Sequence, residues 1–123
     1  MSDPLAATLD ADALQRLRDL DPKGKNRLLE RVLSAFVSSS IRLSGQLVEA
    51  RRGNDLGGVR LVAHTLKSSA ASIGALQLSR ICAEIETQLR TGALSGLDDR
   101  LDAMDRELGA VLQAVSPLLK TLK

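Results

Sequence analysis

Residues 29–50 read LERVLSAFVSSSIRLSGQLVEA, and the order of apolar and polar side chains in this stretch decides the fold class. Leu29, Leu33, Phe36, Ser40, Leu43, Leu47 and Ala50 recur at alternating steps of four and three. A helix turning once in about 3.6 residues gathers such positions onto one face. The alternation itself is that of a seam between antiparallel helices. A half-buried strand would alternate with period two. Ser38-Ser39-Ser40 is therefore no linker: the seam runs through it, and small side chains there allow close helix packing.

Punctuation on either side sets the expected length. Asp21-Pro22 precedes the stretch, and Asp is favoured at a helix N-cap and Pro at the first helical position. Gly53-Asn54 follows it, so the spacing predicts a helix over about 22–52.

Downstream the pattern repeats three times. Asp55 caps a helix expected over about 55–73, weak at Gly57 and Gly58 but firm through Val59, Val62, Ala63, Leu66, Ala70 and Ile73, with Gly74 as its stop. Leu78, Cys82, Ile85 and Leu89, with Ile81 beside them, form the inner stripe of a helix over about 76–91, closed by Thr91-Gly92. A last helix, over about 96–122, carries Leu97, Leu101, Met104, Leu108, Val111, Val115, Leu118 and Leu122; Pro117 is expected to end or kink it. Upstream, 9–20 reads as a short helix capped by Asp10, with Leu14 and Leu17 on its apolar side and Leu9 and Leu20 at its fringe. It is too short to be stable alone and should lie across the bundle. The fold class is thus all-α: one domain over 1–123, an antiparallel four-helix bundle with a short additional N-terminal helix.

Composition agrees and excludes several classes. Phe36 is the single aromatic residue among 123, and Leu and Ala dominate, as helices and not strands prefer. Lys plus Arg number 17 against 15 for Asp plus Glu, a net charge of +2 with the signs interspersed, so nucleic-acid binding is not expected. Cys82 is the single cysteine, which forbids an internal disulfide, and reads as a small buried hydrophobe. Met1-Ser2-Asp3-Pro4 opens no basic-then-apolar leader, and no apolar run approaches the roughly 20 residues that span a bilayer. A cytoplasmic monomer without membrane contact is expected, since both long seams can be satisfied within one chain.

His64 is the single histidine. At about 100° per residue it points about 120–140° away from the core direction set by Val59, Ala63, Leu66 and Ala70. Arg60, Lys67, Ser68 and Ala71 share its side at i−4, i+3, i+4 and i+7. A neutral imidazole is a nucleophile near physiological pH. Lys67 could neutralise a phosphoryl group on the ring, while Ser68 and Ala71 are small enough to let another protein approach. No carboxylate stands at i±3 or i±4 to repel a phosphate. Taken alone, such a group is more often a solvated helix face. A zinc site lacks the needed ligands, no Ser-His-Asp arrangement can be argued, and no Gly-rich phosphate loop supports ATP binding.

The run from Ala63 to Ala75, AHTLKSSAASIGA, resembles the signature of the histidine-containing phosphotransfer (HPt) family, His-x-Leu-Lys-Gly-Ser followed by small residues, an aliphatic and Gly-Ala. The likeness continues through Leu78, Cys82, Ile85 and Glu86, and Arg90 stands where many members carry a basic residue. The resemblance implies a phosphorelay intermediate of a two-component system. His64 would accept a phosphoryl group through Nε2 from a receiver-domain aspartyl phosphate and pass it to another response regulator. Lys67, with Arg90, would offset phosphoryl charge, and Ser69 would orient the ring. Arg60, His64, Lys67, Ser68 and Ala71 would meet receiver domains of response regulators or hybrid histidine kinases. The chain would be a phosphocarrier and not an enzyme, with no cofactor of its own and Mg²⁺ supplied by the receiver. Ser68 departs from the family's usual Gly. The alternative is a non-transferring helical adaptor that binds a receiver or a histidine kinase.

Overall fold

Residues 8–122 are described by the structure, a computed structural model; the reading of Met1 to Pro4 lies outside them. Among the described residues there are five helices, α1 (Ala11–Asp19), α2 (Leu28–Arg52), α3 (Leu56–Ser72), α4 (Leu76–Thr91) and α5 (Leu97–Leu122), and no strand. Helix α3 packs on α2 and most extensively on α4, α4 on α5, and α5 back on α2, which closes a four-helix ring; α1 lies on α2. Sequential helices run antiparallel. The end of α2 at Arg51 meets the start of α5 at Asp98 and Asp102, and Glu86 late in α4 meets His64 midway along α3.

With one exception the seams form the core as the spacing predicts: Leu122, the last seam residue of α5, is exposed at the helix end. All seven α2 seam positions are buried, as are Val59, Val62, Ala63, Leu66, Ala70 and Ile73 from α3 and its C-cap. Leu78, Cys82 and Ile85 from α4 and Leu97, Leu101, Met104, Leu108, Val111 and Val115 from α5 complete one continuous cluster. Ile81, Leu89 and Leu118 are partly buried against it, and Ala114, not read as core, joins it. Removing the buried Cys82 thiol from water pushes its pKa up to about 12, with the nearby Glu86 carboxylate adding to the effect, so it stays a thiol in the folded chain.

The start of α2 differs from expectation. The helix begins at Leu28, six residues after Pro22, because residues 21–27 form two successive turns. The Gly24 amide donates to Asp21 O at 2.9 Å and the Arg27 amide to Gly24 O at 3.2 Å, with Gly24 at φ +68 and Arg27 at φ 53. Asp21 still serves the helix, from a distance: its carboxylate accepts from the amides of Asn26 at 3.2 Å and Leu28 at 3.1 Å. Helix α1 is shorter than expected as well. Asp10 is its N-cap, accepting from the Ala13 amide at 3.2 Å. Leu9 precedes the helix yet is buried, whereas Leu20 follows it and is 73% exposed. At the other end, Pro117 does not terminate α5, which continues to Leu122. Pro117 and Gln113 both lie on the wet side, so the carbonyl one turn before the proline, deprived of its amide partner, is on the side open to water.

Gly74 determines where α1 sits. The Ala75 amide donates to Ala70 O at 2.9 Å and the Gly74 amide to Ala71 O at 3.2 Å, with Gly74 left-handed at φ +80. This paired closure satisfies the last carbonyls of α3 and strongly favours glycine. Its carbonyl then accepts from the Asp10 amide at 2.7 Å, and a Cβ at Gly74 would stand 2.9 Å from Asp10 N, Asp10 O and Ala13 Cβ. The turn that ends the helix bearing His64 is thus the seat of the N-terminal segment.

Candidate functional site

His64 sits midway along α3, its side chain 63% exposed, on the side away from the buried stripe. Arg60, Ser68 and Ala71 are exposed with it, and Lys67 is half-buried at its flank. The helical wheel therefore placed these residues correctly. Leu61, exposed one turn before His64, adds an apolar element that the core stripe did not mark.

What the wheel of one helix missed is Glu86. Its Oε2 lies 3.2 Å from Nδ1 of His64 and its Oε1 lies 2.7 Å from Nζ of Lys67. No carboxylate neighbours His64 along α3, but the α3–α4 pairing brings one across. The sequence signal was present: Glu86 follows Cys82 by four residues, and that spacing places it beside the buried stripe, toward the neighbouring helix. The pairing is fixed partly by Ser79, whose hydroxyl donates to the Lys67 carbonyl at 3.1 Å.

The electrostatics follow from this geometry. Glu86 is only 18% exposed, and burial by itself would favour its neutral form. The Lys67 ammonium outweighs that, and with the His64 contact it holds the Glu86 carboxyl below the usual carboxylate range. Ionised, the carboxylate only accepts hydrogen bonds, so Nδ1 of His64 is the donor. In the neutral ring the proton then sits on Nδ1, and Nε2 carries the lone pair.

Ser69, expected to orient the ring, does not reach it; Glu86 does. Ser69 is at i+5 from His64, about 140° around the helix. Its hydroxyl donates to the Thr65 carbonyl at 3.1 Å, and it lines a shallow groove between α2 and α3 with Val32, Phe36 and Ser39. Arg90 lies exposed on α4, one turn beyond Glu86. The structure thus gathers His64, Lys67 and Glu86 into one contact group, with Arg60 and Arg90 a turn away along their own helices. Such a group holds an oriented nucleophile beside a cation; its basic rim suits an anionic substrate.

The family model of the Hpt domain matches residues 31–114. The crystal structure of histidine-containing phosphotransfer protein B (HptB) from Pseudomonas aeruginosa PAO1 is similar, with a TM-score of 0.80 and 26% sequence identity over 94% of this chain and 97% of that one. No curated protein matches the sequence.

Proposed function

The chain belongs to the Hpt domain family and is a phosphotransfer protein of two-component signalling, and from that premise we propose that His64 is its phosphoryl-carrying residue. Nε2 attacks the phosphorus of an aspartyl phosphate on a receiver domain, and the aspartate departs as a carboxylate. A second receiver aspartate later takes the group from Nε2. Lys67 and Arg90 offset charge on the phosphoryl oxygens, and Arg60, Ser68 and Ala71 belong to the surface the receiver covers. The Mg²⁺ that assists the transfer is the receiver's own. The chain acts as a phosphocarrier: it stores and hands on a group that others activate.

One observation carries this reading: the single imidazole is exposed and is held at Nδ1 by a carboxylate that also anchors a lysine. An adaptor that merely bound receivers would need no such orientation of one ring. The test mixes the full chain with phosphorylated receiver domains of its source organism. Acid-labile, base-stable label on His64, discharged on adding a second Mg²⁺-loaded receiver, is the expected result. Binding without label would favour the adaptor. No helix among the described residues is long and apolar enough to cross a membrane, so the assay uses the chain as it stands.

A further inference from the structure

We infer that Glu86 holds the proton on Nδ1 of His64 after the ring has been phosphorylated, and thereby sets how readily the phosphoryl group leaves. The inference rests on His64 as the carrier and adds a second task to the residue that orients it.

When the Nε2 lone pair forms the new bond to phosphorus and the aspartyl P–O bond breaks, the Nδ1–H ring becomes a cationic N-phosphoimidazolium. Onward transfer reverses the electron flow. The incoming carboxylate bonds to phosphorus, the N–P bond breaks, and its electron pair returns to Nε2. If Nδ1 still holds its proton, the leaving group is neutral imidazole. If that proton has been lost, the leaving group is imidazolate, which is far more basic and departs far more slowly. Retention of one proton therefore separates a phosphohistidine that transfers from one that stalls.

The surroundings of the ring decide that proton's fate. Arg60 and Lys67 on α3 and Arg90 on α4 are cationic, and cations favour its loss. Glu86 on α4 is the acidic group that reaches the ring, with Oε2 3.2 Å from Nδ1. Its other oxygen is engaged by Lys67 at 2.7 Å, which fixes the carboxylate in place. The phosphoryl group arrives on Nε2, at the opposite edge of the ring, so nothing displaces Oε2 from Nδ1. Lys67 then stands between two anions and can turn toward the phosphoryl oxygens without freeing Nδ1.

The experiment phosphorylates the purified chain with phosphoramidate, so that no receiver is needed, and follows the ring nitrogens by ¹⁵N NMR against pH. Glu86→Gln keeps the shape and a carbonyl acceptor but removes the charge. The Nδ1 deprotonation midpoint should fall by about one pH unit in this variant, the scale for losing one close opposite charge. Above that midpoint, hydrolysis of the N–P bond should slow about tenfold relative to the parent. Glu86→Asp, charged but shorter, should fall between the two. Equal midpoints, or a higher one in Glu86→Gln, overturn the inference. A parent protein that shows the shift yet never discharges to an Mg²⁺-loaded receiver would sink the relay reading while leaving this one intact; relay without the shift does the reverse.

Discussion

Two clusters of charge bind neighbouring helices of this bundle, and they are built differently. On the α3–α4 face, one carboxylate, Glu86, is shared by two nitrogen groups, His64 and Lys67. Between α2 and α5, one guanidinium, Arg51, is shared by three carboxylates, Asp98 at 3.7 Å, Asp102 at 3.0 Å and Asp105 at 3.8 Å. The second cluster has more ion pairs, but its only nitrogen group is a guanidinium that stays protonated and has no lone pair to offer. The first has fewer, but one of its members is an exposed imidazole whose second nitrogen lies outside the contact. A charged network marks a site only where it leaves a reactive atom free and oriented. Among the described residues, no group of carboxylates, His and Cys is placed to hold a metal ion, so the Arg51 cluster reads as an inter-helix tie.

His64→Gln should abolish phosphoryl acceptance, because no other side chain in the group has the nucleophile. Its cost in stability should stay within about 0.5 kcal/mol, as for other exposed positions, and a thermal melt beside the labelling assay reads both. A large loss of stability would mean that the ring belongs to the scaffold.

Lys67→Ala should slow transfer in both directions by roughly ten- to a thousandfold without eliminating it, since the ammonium offsets charge and forms no bond to phosphorus. Unchanged single-turnover rates would remove Lys67 from the site. The matching change in the other cluster, Arg51→Ala, should leave those rates untouched and cost no more than about 1 kcal/mol in a urea titration, because its partners are largely exposed. Slower transfer in Arg51→Ala would dissolve the distinction between the two regions.

Surface shape sharpens it further. Ser68 is exposed on α3 one turn after His64. Ser68→Gln should weaken receiver binding and transfer while the bundle stays folded, and Ser68→Gly should preserve or improve binding at a cost of about 1 kcal/mol in helix stability. Calorimetric titration with a receiver separates the two effects.

The smallest expected effect is in the response to acid, where the clusters should move in opposite senses. Lys67 and His64 lower the Glu86 pKa below that of the unfolded chain, so its stabilising contribution is present above the unfolded value, about 4.3, and is lost as pH falls through the lower folded value. Burial raises Asp105, against the pull of Arg51, so folding favours its protonated form; that contribution is present below the unfolded value, about 3.9, and is lost as pH rises through the folded one. Carboxyl ¹³C shifts recorded between about pH 2 and 6 should place the Glu86 midpoint below that of Asp105. The reverse order would mean that Lys67 does not hold Glu86 in solution.

The sequence by itself determined the four long helices, the buried stripe of each and the outward direction of His64, because helical periodicity is local and each apolar stripe must find cover. It also determined the stop at Gly74, where the turn places the residue in the left-handed region. The start of α2 was not legible, because Asp21 caps from seven residues away through an intervening pair of turns. The run of α5 to Leu122 was read from its seam, but the tolerance of Pro117 within it depends on that side of the helix facing water. Only the tertiary structure decided what holds the imidazole. Ser69 shares a helix with His64 but points elsewhere and satisfies its hydroxyl on Thr65, whereas Glu86, 22 residues on, lies against the ring. Position around a helix is a property of spacing along the chain, but the group facing Nδ1 depends on the relative placement of α3 and α4, and that placement is set by the whole packed core.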